Sequence, residues 1–249
     1  MKVWGVIPAR WGATRLPGKS LLPLLGKPMI QWVAERARQA ESLDRLVVAT
    51  DDERIAAAVA GLGVETVMTR SDHPSGTDRV AEAVRGGDAD LVINIQGDEP
   101  LLDPDLVDRL VATLRDGPDW DMATAATPIR DEREWNDPAV VKVVWDRQGA
   151  ALYFSRAPIP FSREPLSAAD GDGRWRHVGL YAYRRRFLEQ FVQTAPSWLE
   201  RVEKLEQLRA LHLGARLAVL QTEDRGCGVD TPRDVETMER LLRLEGKGI

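Results

Sequence analysis

Over the first 130 residues the chain alternates between two hydrophobic rhythms. Short apolar runs rich in β-branched residues occur at VWGVIP (3–8), DRLVVATDD (44–52), VETVMT (64–69), DLVINIQGDEP (90–100) and DMATAATPI (121–129). Runs of this length and composition predict buried strands. Between them lie PMIQWVAERARQA (28–40), ERIAAAVAGLG (53–63), GTDRVAEAVRG (76–86) and PDLVDRLVATLRD (104–116). Their apolar positions recur at helical spacing, with Pro28 suited to a first turn, Gly63 to a close and Ser75 to an N-cap. Strands alternating with helices predict an α/β fold: a doubly wound, mostly parallel, Rossmann-like sheet covered on both faces.

After residue 130 the rhythm changes. AVVKVVWDRQGAALYFSR (139–156) predicts two strands around a turn at Asp146–Gly149, and RHVGLYAYRRRFLEQFV (176–192) a strand followed by a helix. LERVEKLEQLRALHLG (199–214) predicts one amphipathic helix closed by Gly214. ARLAVLQTE (215–223) returns to strand, and TPRDVETMERLLRLEG (231–246) is a final helix with Thr231 as N-cap. The polar, Gly-containing segment 162–175 predicts a mobile surface loop. The organisation expected is a nucleotide-binding α/β core from 1–130 and 216–249, with an inserted α+β lobe at 131–215.

Composition narrows the class. The chain has 249 residues and a formal charge of −5, so any cationic site is local and a general nucleic-acid face is disfavoured. The single cysteine, Cys227, allows no internal disulfide, and it has no evident catalytic company. The start of the chain has the pattern of a strand rather than of a signal peptide. No apolar stretch approaches the roughly 20 residues needed to span a bilayer. A soluble, cytoplasmic protein without membrane insertion is expected.

Ligands of parallel sheets bind beyond the carboxyl ends of the strands. Three polar loops fall at such ends: 8–19, 69–78 and 96–100. The first, PARWGATRLPGK, carries Arg10, Arg15 and Lys19 with Gly12 and Gly18 between them. It matches neither the P-loop nor the dinucleotide fingerprint, which disfavours a dehydrogenase. Backbone N–H groups, two guanidinium groups and one ammonium nevertheless suit a triphosphate.

PARWGATRLPGK is similar to the signature loop R-x-x-S-x-R-L-P-x-K of the cytidylyltransferases that activate sugar acids, with Ala13 where a serine is common. MTRSDHPSGTDR, NIQGDEP, AVVKVV, ALYFSRAPIP, RHVGLYAYR, LEQLRAL and GVDTPRD extend the resemblance in order from residue 3 to about residue 240. They point to the branch of that family whose sugar acid is 3-deoxy-manno-octulosonate (Kdo). The resemblance implies CTP and Kdo as substrates, CMP-Kdo and pyrophosphate as products, Mg²⁺ as cofactor, a homodimer and a role in lipopolysaccharide biosynthesis. It implies nucleotide contacts from Ala9, Arg10, Arg15, Lys19, Arg70, Ser75, Gly76, Thr77, Gln96 and Asp98. Catalytic charge would come from Lys19, Arg10, Arg15 and Asp98.

Asp98 in GDEP and Asp230 in GVDTP fall on separate loops, and two carboxylates with phosphate oxygens and water are how Mg²⁺ is ordinarily held. Asp230 could instead cap the following helix. Ser75 could be a bare N-cap, and His73 a surface histidine. The resemblance places the sugar acid against Arg156, His177, Tyr181, Glu206 and Gln207, with Arg156 suited to a carboxylate and the others to hydroxyls. Lys142 could reach that site or simply sit on a strand face. The stretch LYFSRAPIPF is the expected dimer contact. Competing readings are CMP activation of an amino-substituted Kdo or a sialic acid, a sugar-phosphate pyrophosphorylase, and a non-catalytic nucleotide sensor.

Overall fold

The structure is a computed structural model that describes residues 1–12, 16, 18–164, 173–223, 226 and 228–245. Arg15, Cys227 and most of the expected surface loop (165–172) lie outside the described residues. The chain divides into two compact units, Met1–Val111 with Gly226–Ile249, and Ala112–Arg225. These bounds differ from the expected lobe at 131–215. The strand over 122–128 and the strand over 217–221 both fall in the second unit, because they pair with each other in parallel.

The first unit is built on four parallel strands: β1 (Val3–Ala9), β4 (Arg45–Thr50), β5 (Glu65–Met68) and β6 (Leu91–Asn94). β1 pairs with both β4 and β6, and β4 with β5, so the order is β6-β1-β4-β5. As the strand between two neighbours, β1 is apolar on both faces, and Val3, Val6 and Ile7 are fully buried. A two-residue hairpin, β2 (Pro23–Leu24) and β3 (Lys27–Pro28), turns at Leu25 and Gly26, both with positive φ.

Helices α1 (Met29–Ala37), α2 (Glu53–Val59) and α3 (Gly76–Ala83) follow β3, β4 and β5, and α4 (Pro104–Asp116) follows β6. The Asp52 and Ser75 side chains accept from the backbone N–H of Arg54 and Asp78, starting α2 and α3. The last helix, α9 (Pro232–Glu245), returns to this unit. Its Met238 and Leu242 pack with Leu24, Met29 and Val229 in one apolar cluster. At its start the Thr231 hydroxyl accepts from the Asp234 N–H, as expected of an N-cap.

In the second unit β7 (Met122–Pro128) lies between β11 (Leu217–Gln221), parallel, and β10 (Trp175–Arg184), antiparallel. β8 (Lys142–Trp145) and β9 (Ala151–Ser155) form the expected hairpin, closed where the Gly149 N–H donates to the Asp146 carbonyl. α5 (Glu132–Asn136) was not expected, and α6 (Arg185–Gln193) was.

The expected single helix at 199–214 is two helices, α7 (Trp198–Glu203) and α8 (Gln207–His212). Lys204 between them takes φ 55 and ψ 46, the left-handed geometry that ends a helix. A Ser197–Glu200 capping box starts α7. Glu200 and Arg209, one from each helix, form a buried ion pair that ties the two helices together.

Candidate functional site

In the first unit the carboxyl ends of β1 and β6 and the amino end of α3 open on a cleft of about 300 Å³. Its wall includes Ala9, Arg10, Lys19, Ser75, Gly76, Gln96, Asp98 and Asp230. Eight residues picked from four separate stretches of sequence thus share one concavity, at the strand ends where the fold class predicts a ligand.

The centre of the charge arrangement is Lys19. Its Nζ donates to Asp98 at 2.5 Å and to Asp230 at 2.7 Å. The lysine side chain is mostly buried, while both carboxylates retain contact with solvent. Asp98 reaches this point because Gly97 lies close beneath the end of β1. A Cβ on Gly97 would sit 2.9 Å from the Pro8 carbonyl oxygen, so any side chain would push the Asp98 loop away. Asp230 is presented by the turn before α9, whose Val229 N–H donates to the Asp98 carbonyl at 3.0 Å. Capping of α9 is carried by Thr231 and Asp234, and the Asp230 carboxylate faces Lys19.

The first loop is anchored through Trp11. Its backbone N–H donates to Asp51, whose other oxygen accepts from Arg79, both at 3.1 Å. Arg54 lies 3.4 Å above the indole, and a cation over that face is attractive. Gly18, at φ 69, lies against the same ring: a Cβ there would come within 2.9 Å of it. Lys19, the next residue, begins a short 3₁₀ turn over Lys19–Leu21.

Not every nucleotide candidate lies on the cleft wall. Arg70 is in an exposed ion pair with Asp72. Thr77 is buried, 3.5 Å from the Asn94 amide that donates to it. Ser75 lines the cleft and also caps α3. His73 lines the cleft too and pairs with Glu82, which a surface histidine would not require. Arg79 received no role from the sequence. Its burial and its bonds to Thr69 and Asp51 depend on contacts between loops that no local pattern announces.

The sugar-acid candidates are in the second unit, and two cations there behave differently from Lys19. Lys142 is fully buried and donates to the carbonyls of Asp137, Val140 and Arg156 at 2.7–2.9 Å. Burial lowers its pKa. All three of its donors are engaged by backbone, so of the two readings the strand-face one, with a structural role, is the one that fits. Arg156 donates to the carbonyls of Glu203 at 2.7 Å, Pro138 at 2.9 Å and Lys204 at 3.5 Å. Two of these are at the end of α7, where carbonyls have no partner within the helix.

His177 sits among aromatic rings, with centroids 5.1 Å from Phe154 and 5.3 Å from Tyr181. One ring nitrogen is 2.9 Å from the Thr124 hydroxyl. Burial, with the Arg176 charge beside it, pushes its pKa down to about 3, so the imidazole is neutral near pH 7. Glu206 is not in mid-helix as expected: it is the N-cap position of α8, and Gln207 is the buried first residue.

A sequence model for the family described as cytidylyltransferase matches residues 4–217. The chain belongs to that family, and with it to the nucleotidyltransferase enzymes. Among curated relatives, a 3-deoxy-manno-octulosonate cytidylyltransferase of Syntrophotalea carbinolica is 51% identical, covering 98% of this chain and 99% of its own. The protein of the same name from Bdellovibrio bacteriovorus is 49% identical, covering 99% of this chain and 100% of its own. Among solved structures, CMP:2-keto-3-deoxy-manno-octonic acid synthetase complexed with CTP superposes with a TM-score of 0.92. It is 44% identical and covers 98% of this chain and 100% of its own.

Proposed function

We propose that this cytidylyltransferase transfers the cytidylyl group of CTP to Kdo, giving CMP-Kdo and pyrophosphate. The observation that carries the reading is Lys19 held between Asp98 and Asp230 in a cleft also lined by Arg10, Ser75 and Gln96. The near-half identity to Kdo cytidylyltransferases over whole chains supports the choice of sugar.

In this reaction the anomeric 2-hydroxyl of the sugar acid attacks the α-phosphorus, and pyrophosphate leaves. Such a transfer needs positioning and charge compensation rather than a side-chain nucleophile. Arg10 and Lys19 neutralise the triphosphate and the leaving pyrophosphate, Arg with a planar fork and Lys as a point charge. The Arg15 assignment rests on the sequence resemblance. Gln96 and the Ser75–Gly76 backbone face the nucleoside side of the cleft.

Asp98 and Asp230 fit Mg²⁺. Their carboxylates converge closely enough to share one ammonium, and they are open to water. Among the described residues no cluster of three metal-ligating side chains exists, so phosphate oxygens and water complete the shell. When bound, Mg²⁺ supplies positive charge to phosphate oxygens and lowers the pKa of a hydroxyl near it.

We assign the sugar acid to Arg156, His177, Tyr181, Glu206 and Gln207. The neutral His177 suits a hydroxyl better than a carboxylate. Arg156 is held by three carbonyls, so a sugar carboxylate would meet a guanidinium already fixed in place. Leu152 and Phe161 in the stretch expected to form the dimer contact are 60% and 86% exposed, and Trp198 and Val202 on α7 are also exposed. Apolar side chains left in water support a homodimer through this unit. No described helix is long and apolar enough to cross a membrane. A cytoplasmic enzyme supplying lipopolysaccharide biosynthesis fits the substrates.

The test is pyrophosphate release from CTP across Kdo, amino-substituted Kdo, a sialic acid and a sugar 1-phosphate. Kdo should be used best. A tenfold preference for the amino sugar would change the substrate, and absence of release with every sugar would favour a nucleotide sensor.

A further inference from the structure

We propose that Lys19 is the resident counter-ion of the Asp98–Asp230 pair in the free protein, and that a divalent cation gains that seat only as a nucleotide triphosphate draws the lysine away. The proposal rests on the metal assignment made above and adds a competition to it.

Two carboxylates from loops far apart in the chain meet on one ammonium, at 2.5 and 2.7 Å. Like charges that close cannot both stay ionised cheaply unless a cation lies between them. Lys19 is that cation. Its side chain is only 14% exposed, against 32% for Asp98 and 44% for Asp230. The lysine is therefore the inner member, and the carboxylates are what the solvent meets. An arriving metal ion finds suitable oxygens already facing a positive charge, and two cations within a few ångströms repel strongly in a partly desolvated cleft.

Lys19 is also the residue the triphosphate needs. An ammonium on a four-carbon stem can swing to a phosphate while its backbone stays fixed by the 3₁₀ turn and the Trp11–Gly18 packing. When it does, the carboxylates lose their counter-ion and become a better metal site at the moment when phosphate oxygens arrive to complete the shell. Nucleotide and metal then favour each other through one side chain, and linkage requires the coupling to be mutual. Free metal binds weakly, and the carboxylate pair never stands uncompensated.

The experiment measures Mn²⁺ binding by electron paramagnetic resonance, without nucleotide, to the parent, Lys19→Met, Lys19→Gln and Lys19→Arg. Binding to the site is counted as the part lost on adding Asp98→Asn. The two neutral variants should bind Mn²⁺ at least about tenfold more tightly than the parent, and Lys19→Arg should stay near the parent. Melting temperatures serve as a second readout. The neutral variants should melt lower than the parent in EDTA and gain more from Mn²⁺ than the parent does. The parent with CTP should show Asp98-dependent Mn²⁺ beyond what CTP alone chelates. If it does, but neither neutral variant binds more tightly than the parent without nucleotide, the competition is overturned and the metal assignment stands. If CTP brings no Asp98-dependent Mn²⁺ to the parent, the metal assignment fails and this proposal with it.

Discussion

Two lysines, one in each unit, are held in opposite ways. In the first, Lys19 meets two carboxylates borne on loops. In the second, Lys142 and Arg156 each meet three backbone carbonyls. A side chain paired with other side chains can be released by a rotamer change when a competing charge arrives. A cation bound to carbonyls of loops and helix ends can leave only if that backbone rearranges. The first arrangement suits exchange with a charged ligand, and the second suits holding a frame. A buried lysine is therefore no evidence of function until its partners are known.

The strongest challenge to this contrast is Asp98→Asn. It should lower kcat at least about a hundredfold, while the far-ultraviolet spectrum and melting temperature stay near the parent's. Full activity in this variant would remove Asp98 from the chemistry, and with it the exchangeable character of the first site.

Next is Lys142→Met, which tests the frame. Three carbonyls would lose a buried donor, at a cost of about 2–4 kcal/mol of folding stability. Chemical denaturation should show the loss. A variant as stable as the parent but poor in Kdo use would make Lys142 a ligand instead.

Arg156→Ala should show both characters in one residue: a loss of about 1–2 kcal/mol from the uncapped end of α7 and a raised KM for Kdo. The KM for CTP should hardly change. Damage confined to CTP would overturn the sugar assignment.

The smallest effect is on pH dependence. The folded-state pKa of His177 is depressed to about 3, against an unfolded value near 6.5. Below that value the unfolded chain binds a proton that the native state refuses, so stability falls as pH drops from about 6.5 towards 3. His177→Gln should flatten this part of the stability–pH curve. An unchanged slope would mean that the imidazole is solvated rather than held neutral.

Much of the architecture was legible in the chain. The alternating strands and helices, the hairpin at 142–155 and the caps at Ser75 and Thr231 follow from local period and local hydrogen-bonding chemistry. The break at Lys204 was not legible, because a lysine rather than a glycine takes the left-handed geometry that ends α7. The first-loop cations and the GDEP and GVDTP acids were recognisable as charged groups at strand and helix ends.

What the sequence could not say was which charge meets which. Lys19 stands in a cationic, glycine-containing loop and Lys142 in an apolar strand, but neither setting says which groups the ammonium meets. Their difference arises from groups brought in from afar: Asp98 and Asp230 for one, and the carbonyls of 137, 140 and 156 for the other. Local patterns record how a segment avoids or seeks water, and they determined the elements. Electrostatic partnership acts across space at a few ångströms, so only the tertiary structure decided which lysine could exchange its partners and which could not.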